Sequence, residues 1–211
     1  MVIALCASAH AMDAQTSRLA AAFDAHYNNV RTLRADFVEN YSGAGLSRRE
    51  SGTLTLKKPG KMRWDYHEPR PKVFLSDGKN AYFYVPGEHQ ASRAPVKKLD
   101  DLRSPLRYLL GHSKLEKELN NLHVDSAAQP SAAGNIVLSG VPKGMEERVS
   151  QVRLELTPAG SLAGISIEEL DGSRTEFLFR NMAENQEFPD SNFRFVPPSG
   201  VEVMDAPELN Q

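Results

Sequence analysis

The sequence predicts a mainly β (α+β) domain built from antiparallel strands with a few short helices. Apolar residues occupy alternate positions in successive short segments, most clearly between residues 52 and 86, and this is the period of strands with one buried face. Turn dipeptides separate these segments at Pro59-Gly60, Glu68-Pro69 and Asp77-Gly78. About ten strands can be counted at this short spacing, which is typical of a sandwich or a barrel.

Residues 1–11 are interpreted as a truncated signal peptide. They form a short apolar run that ends in Ala9-His10-Ala11, the small-x-small pattern of a signal peptidase site, although a basic region before the run is missing. An N-terminal strand is the alternative. The single cysteine, Cys6, lies in this run, so cleavage after Ala11 leaves residues 12–211 as one predicted domain without a thiol.

Charge and hydropathy exclude two classes of partner. The chain has 25 Lys and Arg residues against 27 Asp and Glu residues, and this balance favours neither nucleic acid nor an anionic membrane surface. No window reaches the ~18 consecutive apolar residues of a membrane span. We therefore expect no nucleic-acid partner and no transmembrane helix.

A helix and a strand are predicted at the start of the mature chain. Asp13 can cap the helix, which carries one apolar stripe, namely Leu19, Phe23, Tyr27 and Val30. Alternation predicts the first strand at Leu33, Ala35 and Phe37. The glycine pair that follows, Gly43 and Gly45, indicates a hairpin or loop and not a phosphate-binding loop, because a third glycine and a following helix are missing.

The middle of the chain predicts a loop and two short helices. Alternation is lost over residues 89–98, which are interpreted as a loop. Ser104-Pro105 can begin a helix that carries Leu106, Leu109 and Leu110, and Ser113 can cap a second helix that carries Leu115, Leu119 and Leu122. Such helices are expected to lie on a sheet or across a barrel mouth, since that is the apolar surface available to them. Four further strands are predicted between residues 136 and 179, and an edge strand in the tail.

No catalytic constellation is present in the sequence. The six histidines are scattered without the spacing of metal ligands, and His67-Glu68 is followed by Pro69, which forbids a zincin helix. We therefore predict no enzyme activity, no metal and no cofactor. An apolar ligand site is the better-supported alternative, because barrels of this size hold either side chains or a ligand. Pattern alone leaves both a packed core and a ligand cavity open.

Two strings of residues carry a family resemblance. The string from Lys57 to Pro69, KKPGKMRWDYHEP, and the string from Ser76 to Pro86, SDGKNAYFYVP, closely resemble the LolA family of periplasmic carriers of outer-membrane lipoproteins. The resemblance extends in order over nearly the whole mature chain, from the opening helix to the ending around Phe193 and Phe195. The related outer-membrane receptor LolB shares the fold.

The resemblance implies a half-open, strongly curved antiparallel β-sheet, an incomplete barrel, with a lid of short helices over a hydrophobic cavity. It also implies that the cavity receives acyl chains of lipoproteins from an inner-membrane LolCDE-type ABC transporter and delivers them to a LolB-type receptor. The expected location is the periplasm, and the expected state is a monomer. No cofactor is implied.

The resemblance and the alternation together give a set of candidate site residues. Alternation assigns the cavity face to Phe37, Leu54, Leu56, Met62, Trp64, Tyr66, Val73, Leu75, Phe83, Phe177 and Phe179. The candidate lid residues are Leu106, Leu109 and Leu110. In the family, an arginine before the Pro-Gly turn holds the lid by hydrogen bonds to its backbone carbonyls, and the matching position here is Lys58, a point charge in place of a planar fork.

Three alternatives remain open from the sequence. A LolB-like acceptor would need a lipid-modified cysteine, and Cys6 follows the bulky Leu5. A carrier of a diffusible glycolipid or isoprenoid would use the same apolar face. An interaction or structural domain would have a fully packed interior.

Overall fold

The computed structural model describes residues 13–96 and 114–206, which contain twelve β-strands. The strands are β1 (Thr32–Gly43), β2 (Leu46–Lys57), β3 (Lys61–Glu68), β4 (Lys72–Asp77), β5 (Asn80–Tyr84), β6 (Gln90–Pro95), β7 (Leu119–Val124), β8 (Ile136–Pro142), β9 (Val149–Leu156), β10 (Leu162–Glu169), β11 (Arg174–Glu184) and β12 (Glu202–Asp205). The helices are α1 (Ala14–Asn29), α2 (Leu115–Glu118) and a 3-10 helix at Asp190–Phe193.

All twelve strands belong to one sheet with the order β12-β6-β5-β4-β3-β2-β1-β11-β10-β9-β8-β7. Neighbouring strands are antiparallel, except that β12 runs parallel to β6. The two edge strands, β12 and β7, are not paired with each other, so the sheet is open. The prediction of an unclosed, mainly antiparallel sheet is therefore confirmed.

The sheet curves around one apolar face. Trp64 on β3 and Phe177 on β11 lie three strands apart, which corresponds to about 14 Å in a flat sheet. Their ring centroids are nevertheless only 5.3 Å apart. The side chains of both halves of the sheet therefore converge, and the face that carries them is the concave one.

The first helix forms where the sequence predicts it. The Asp13 side chain accepts a hydrogen bond from the backbone N–H of Gln15, 3.1 Å away, which satisfies one of the free donors at the start of α1. Phe23 and Tyr27 of the predicted stripe are buried. The hairpin between β1 and β2 also forms as expected, with positive φ at Ala44 and Gly45, the turn geometry that matches the twist of the strands.

The loop predicted at residues 89–98 is wrong for most of its length, because β6 forms at Gln90–Pro95. Its two buried residues are alanines that face opposite sides of the sheet: Ala91 pairs with Tyr84, whereas Ala94 pairs with Ala81. The strand therefore lacks the large alternating apolar residues that sequence reasoning searches for.

The second helix predicted around Leu115, Leu119 and Leu122 is also wrong beyond its first turn. The helix α2 ends at Glu118, and Leu119–Val124 is the edge strand β7. The pairing of β7 with β8 shifts its register between Asn120 and His123, and Asn121 between them has a φ of 53°. Such a bulge places two residues three apart on one face of a strand and so imitates the spacing of a helix.

The ten strands counted in the sequence correspond to ten of the twelve, and β6 and β7 are the two that were missed. In the tail, the predicted edge strand is confined to Glu202–Asp205 and follows the 3-10 helix. The predicted signal peptide and the helix begun by Ser104-Pro105 lie outside the described residues. Within the described ranges, none of the helices has the length and apolar character needed to cross a membrane.

Candidate functional site

An aromatic cluster occupies the centre of the concave face. The ring of Phe37 lies 4.8 Å from Trp64 and 4.9 Å from Tyr66, both edge to face, and 6.4 Å from Phe177. Phe177 in turn stacks with Phe179 at 6.4 Å. All five side chains are at most 7% exposed. The strands β1, β3 and β11 thus combine five of the predicted cavity residues in one continuous surface.

A glycine on the intervening strand allows these rings to meet. Gly52 on β2 pairs with Phe37 on one side and with Tyr66 on the other. A Cβ atom at this position would lie 2.0 Å from the backbone oxygen of Asp65 and 2.8 Å from the Cα of Tyr66. Sequence reasoning missed Gly52 as a site residue, because nothing in its surroundings identifies a glycine that is needed for close backbone approach.

Aliphatic side chains extend the concave face around the aromatic cluster. Leu54 pairs with Trp64, and Leu56 pairs with Met62; since directly paired residues share a face, all of these lie on the concave side. Phe83 reaches the same face through its pairing with Phe74 and is partly buried against the same core.

The expectation that Val73 and Leu75 face the cavity is wrong. They pair with Asp65 and Arg63, which lie on the convex side of β3, whereas Phe74 pairs with Trp64 and faces the concave side. Because β4 carries apolar residues on both faces, alternation does not show which of its side chains face the cavity. Its convex face is covered by the tail: the 3-10 helix contacts β4, and Leu75 is fully buried.

Helix α1 covers part of the concave face. Tyr27 is fully buried, and its hydroxyl accepts a hydrogen bond of 2.8 Å from the backbone N–H of Leu162 on β10. Burial raises the pKa of Tyr27 to about 12. At the same end of the helix, the His26 ring lies 2.9 Å from a carboxylate oxygen of Glu184 on β11. These contacts attach the last turns of α1 to the C-terminal half of the sheet.

Lys58 attaches the same end of α1 to the N-terminal half of the sheet. Its ammonium group donates a short hydrogen bond to the backbone carbonyl of Tyr27. This carbonyl is one of the last four of α1, which have no partner within a helix, and a cation is favourable at a helix C-terminus. Partial burial lowers the pKa of Lys58. The candidate latch therefore contacts a helix backbone carbonyl, and the helix is α1.

The neighbouring lysine serves the opposite face. The ammonium group of Lys57 donates to the carbonyl of Phe188, at 2.8 Å, and lies 2.6 Å from a carboxylate oxygen of Asp190 in the tail. Lys61 lies 2.8 Å from the other oxygen of Asp190. These hydrogen bonds lower the pKa of Asp190 to about 2. The candidate lid residues Leu106, Leu109 and Leu110 lie outside the described residues.

A group of charged side chains, which we call the polar end cluster, lies at the end of the concave face nearest the β1–β2 hairpin. It comprises Glu39, Glu50, Arg48, Lys72 and the hydroxyl of Tyr66. Glu39 and Glu50 are direct cross-strand partners, and each is only 6% exposed. Sequence reasoning missed the cluster, because charged residues next to a hairpin ordinarily point into solvent.

The polar end cluster satisfies its own charges. The Tyr66 hydroxyl donates to Glu39 at 2.9 Å, while Lys72 and Arg48 each lie 2.9 Å from carboxylate oxygens of Glu50. Lys72 also lies 4.2 Å from the centre of the Tyr66 ring. Burial raises the pKa of Glu39, although the hydrogen bond from Tyr66 opposes this shift. Burial and the charge of Glu39 raise the pKa of Tyr66.

The described ranges contain no group of three or more His, Cys, Asp or Glu side chains placed to hold a metal ion. The site combines a broad apolar face, a helix above it, a lysine at one end and a paired ionic cluster at the other.

Comparison with known proteins identifies relatives over most of the chain. The sequence is 31% identical over 181 residues to an outer-membrane lipoprotein carrier protein of Nitrosospira multiformis, covering 83% of each chain. It is 28% identical to the protein of that name from Chromobacterium violaceum, covering 97% of this chain and 95% of the relative. An uncharacterised protein of Thermus thermophilus has a similar fold, with a TM-score of 0.58 at 9% identity, over 91% of this chain and 99% of that one.

The family comparison agrees with the curved sheet and the apolar concave face. The sequence model of the family described as outer membrane lipoprotein carrier protein LolA matches residues 28–196, from the end of α1 to the tail beyond the 3-10 helix. This match covers most of the chain and includes all the strands from β1 to β11. The chain therefore belongs to the LolA family of outer-membrane lipoprotein carrier proteins.

Proposed function

We propose that this protein carries lipoproteins by holding their acyl chains on the concave face of its sheet. Membership in the LolA family makes it a lipoprotein carrier and not an enzyme. The surface that we propose to bind the cargo is the concave face. The observation that supports it best is the aromatic cluster, which places five large rings at the centre of a sheet whose edges stay open.

The physical need for such a surface is large. An acyl chain of ~16 carbons, at ~0.8 kcal/mol per CH₂, costs on the order of 12 kcal/mol to expose to water. A lipoprotein with several chains therefore does not cross an aqueous space unaided. A carrier must also release its cargo, so its apolar surface has to be covered when empty and uncovered when loaded, and the ligand must favour one of these states.

The residues proposed to contact acyl chains are those of the concave face, namely Phe37, Leu54, Leu56, Met62, Trp64, Tyr66, Phe74, Phe83, Phe177 and Phe179. Helix α1 is proposed to move when cargo enters, with Lys58 as the contact that holds its C-terminal end in the covered state. Leu106, Leu109 and Leu110 are proposed to complete the cover.

The proposed location is the periplasm, and the proposed state is a monomer. An inner-membrane LolCDE-type ABC transporter is proposed as the donor of cargo, and an outer-membrane LolB-type receptor as its acceptor. These partners come with the family resemblance, whereas the acyl-binding face is argued from the contacts of this chain.

The single tryptophan gives a direct test of the acyl-binding face. Trp64 lies within the aromatic cluster, so bromine atoms on a bound acyl chain are expected to quench its fluorescence at close range. The experiment titrates the mature protein with brominated and unbrominated diacylglyceryl peptides. Quenching by the brominated form alone supports the proposal, and the same complex is then tested for release of a triacylated lipoprotein from membrane vesicles.

Two results would count against the proposal. If brominated chains bind without quenching Trp64, the acyl chains lie elsewhere on the protein. If a free glycolipid quenches Trp64 and the acylated peptide does not, the surface carries a diffusible lipid in place of a lipoprotein.

A further inference from the structure

We propose that the polar end cluster sets how far an acyl chain reaches along β1–β3, and so makes this carrier selective for acyl chain length. The inference concerns specificity within the proposed carrier function and rests on it.

The polar end cluster lies in the path of an acyl chain that follows β1. Along β1, the concave face carries Leu33, Ala35 and Phe37 in succession, and the next residue on this face is Glu39. The apolar part therefore runs from Leu33 to Phe37, about 13 Å, starting at the end of β1 near Lys58. It stops at Glu39, although the strand continues to Gly43. An acyl chain lying along β1 meets the polar end cluster before it meets solvent.

The charged groups of the polar end cluster are paired with one another and are not arranged to receive a ligand group. Its two carboxylates and two cations sum to zero charge, and each of them lies within 4 Å of an opposite charge inside the cluster. A phosphate or a carboxylate would have to displace Glu39 or Glu50 to gain a cation. The cluster therefore excludes apolar chains without binding polar ones.

Entry of an apolar chain into the polar end cluster costs free energy. A methyl group pushed beyond Tyr66 would separate a buried hydroxyl from Glu39 or a partly buried ammonium group from Glu50, and polar groups that lose their partners away from water are costly. Apolar side chains at the same positions would fill this space without that cost. Tyr66 is fixed on its far side by Lys72 and on its near side by Phe37, so it forms the boundary between the two regions.

The test compares how binding affinity depends on acyl chain length in the unaltered protein and in a variant without the polar end cluster. The variant carries Glu39→Met, Glu50→Met, Arg48→Met, Lys72→Met and Tyr66→Phe together, so that no buried charge loses its partner. The matched control is Arg174→Gln with Glu176→Gln, which removes an ion pair of 2.7 Å near the same end of the sheet but on its convex face. Thermal unfolding establishes that each protein is folded before binding is measured.

Dissociation constants are measured through Trp64 quenching by fatty acids that carry bromine at the terminal carbon. In the unaltered protein, affinity is expected to rise about fourfold per added methylene until the chain fills the ~13 Å of apolar face, and then to level off, in a series from about 6 to about 18 carbons. The variant is expected to keep rising through the longer chains. The control is expected to level off at the same length as the unaltered protein.

Equal slopes in the unaltered protein and the variant over the whole series would overturn the inference while leaving the carrier function intact. Failure of every chain length to quench Trp64 would instead contradict the proposed function itself. If the five-site variant does not fold, the pair Glu50→Met with Lys72→Met removes one carboxylate and one cation at 2.9 Å and is tested in the same way. A partial extension of the rise is then expected, and an unchanged levelling-off would overturn the inference.

Discussion

The two faces of the sheet are both covered, but the covers differ in how they are attached. On the convex face, the tail buries Phe193 to 1% exposure and stacks Phe195 on Tyr82 at 5.1 Å, while Asp190 joins two lysines. On the concave face, Lys58 at the end of β2 donates a hydrogen bond to a neutral backbone carbonyl of α1. The tail is thus attached by opposite charges, whereas the Lys58 contact of α1 joins a partly desolvated cation to a peptide dipole, alongside the contacts of Tyr27 and His26 with the sheet.

The difference comes from two adjacent residues. Lys57 and Lys58 follow each other at the end of β2 and reach opposite faces, as successive residues of an extended chain do. Lys57 remains in an ion pair at the surface. Lys58 is partly buried, which lowers its pKa and subtracts a desolvation cost from its hydrogen bond. The proposed opening of the concave cover would therefore break the partly desolvated hydrogen bond of Lys58 in addition to the contacts of Tyr27 and His26 with the sheet.

The largest effects on stability are expected from a matched pair of leucines, one on each face of the sheet. Leu54 on the concave face and Leu75 on the convex face are both fully buried. Changing either one to alanine is expected to lower the free energy of unfolding by about 2–5 kcal/mol, which urea denaturation measures. Only Leu54→Ala is expected to weaken acyl binding per folded molecule, as measured by Trp64 quenching. An equal loss of acyl binding in Leu75→Ala would contradict the proposal that only the concave face binds acyl chains.

A smaller effect is expected from the two lysines. Lys58→Met removes the hydrogen bond to Tyr27 and is expected to destabilise the covered state by about 0.5–1.5 kcal/mol, which hydrogen exchange at the last turns of α1 detects as faster exchange. Lys57→Met serves as the control, because its partners lie in the tail. If Lys58→Met leaves exchange in α1 unchanged, the helix is held by its other contacts.

The smallest expected effect is the acid response of the convex cover. The pKa of Asp190 is lowered in the folded protein to about 2 by Lys57 and Lys61. Its contribution is therefore fully present above the ordinary pKa of a free aspartate and is lost as the pH falls through about 2. Backbone amide signals of the 3-10 helix are expected to shift over this range in an NMR titration. In Asp190→Asn, the shift should be absent, while the signals of α1 behave as before.

Sequence reasoning predicts this fold well where each strand buries a single face. Trp64 and Tyr66 alternate with Arg63 and Asp65, and the structure places the two sets on opposite sides of β3. The face assignment fails on β4, because Val73, Phe74 and Leu75 are consecutive apolar residues. The convex face of β4 is covered by the tail, which follows more than a hundred residues later in the chain. A strand buried on both faces has no period that assigns its sides.

The site was predictable only in part for a related reason. The type and spacing of the aromatic residues are sufficient to predict them as site residues. Gly52 is not predictable in this way, because its role is to leave room for the close approach of a neighbouring backbone. The polar end cluster depends on the register that pairs Glu39 with Glu50, and no local pattern reveals a cross-strand pair. What sequence spacing alone could not supply was therefore the set of contacts between strands that are distant along the chain.

The pairing of β1 with β11 also shapes how the protein folds. Apart from this junction and the attachment of β12, every strand pairs with its neighbour along the chain, so the sheet consists of two local meanders. The junction brings Phe37 next to Phe179 across about 140 residues of chain, and contacts of such separation carry the largest loop-closure cost. The acyl-binding face straddles this junction. We therefore expect it to form last in folding, so that neither meander alone offers lipid a finished surface.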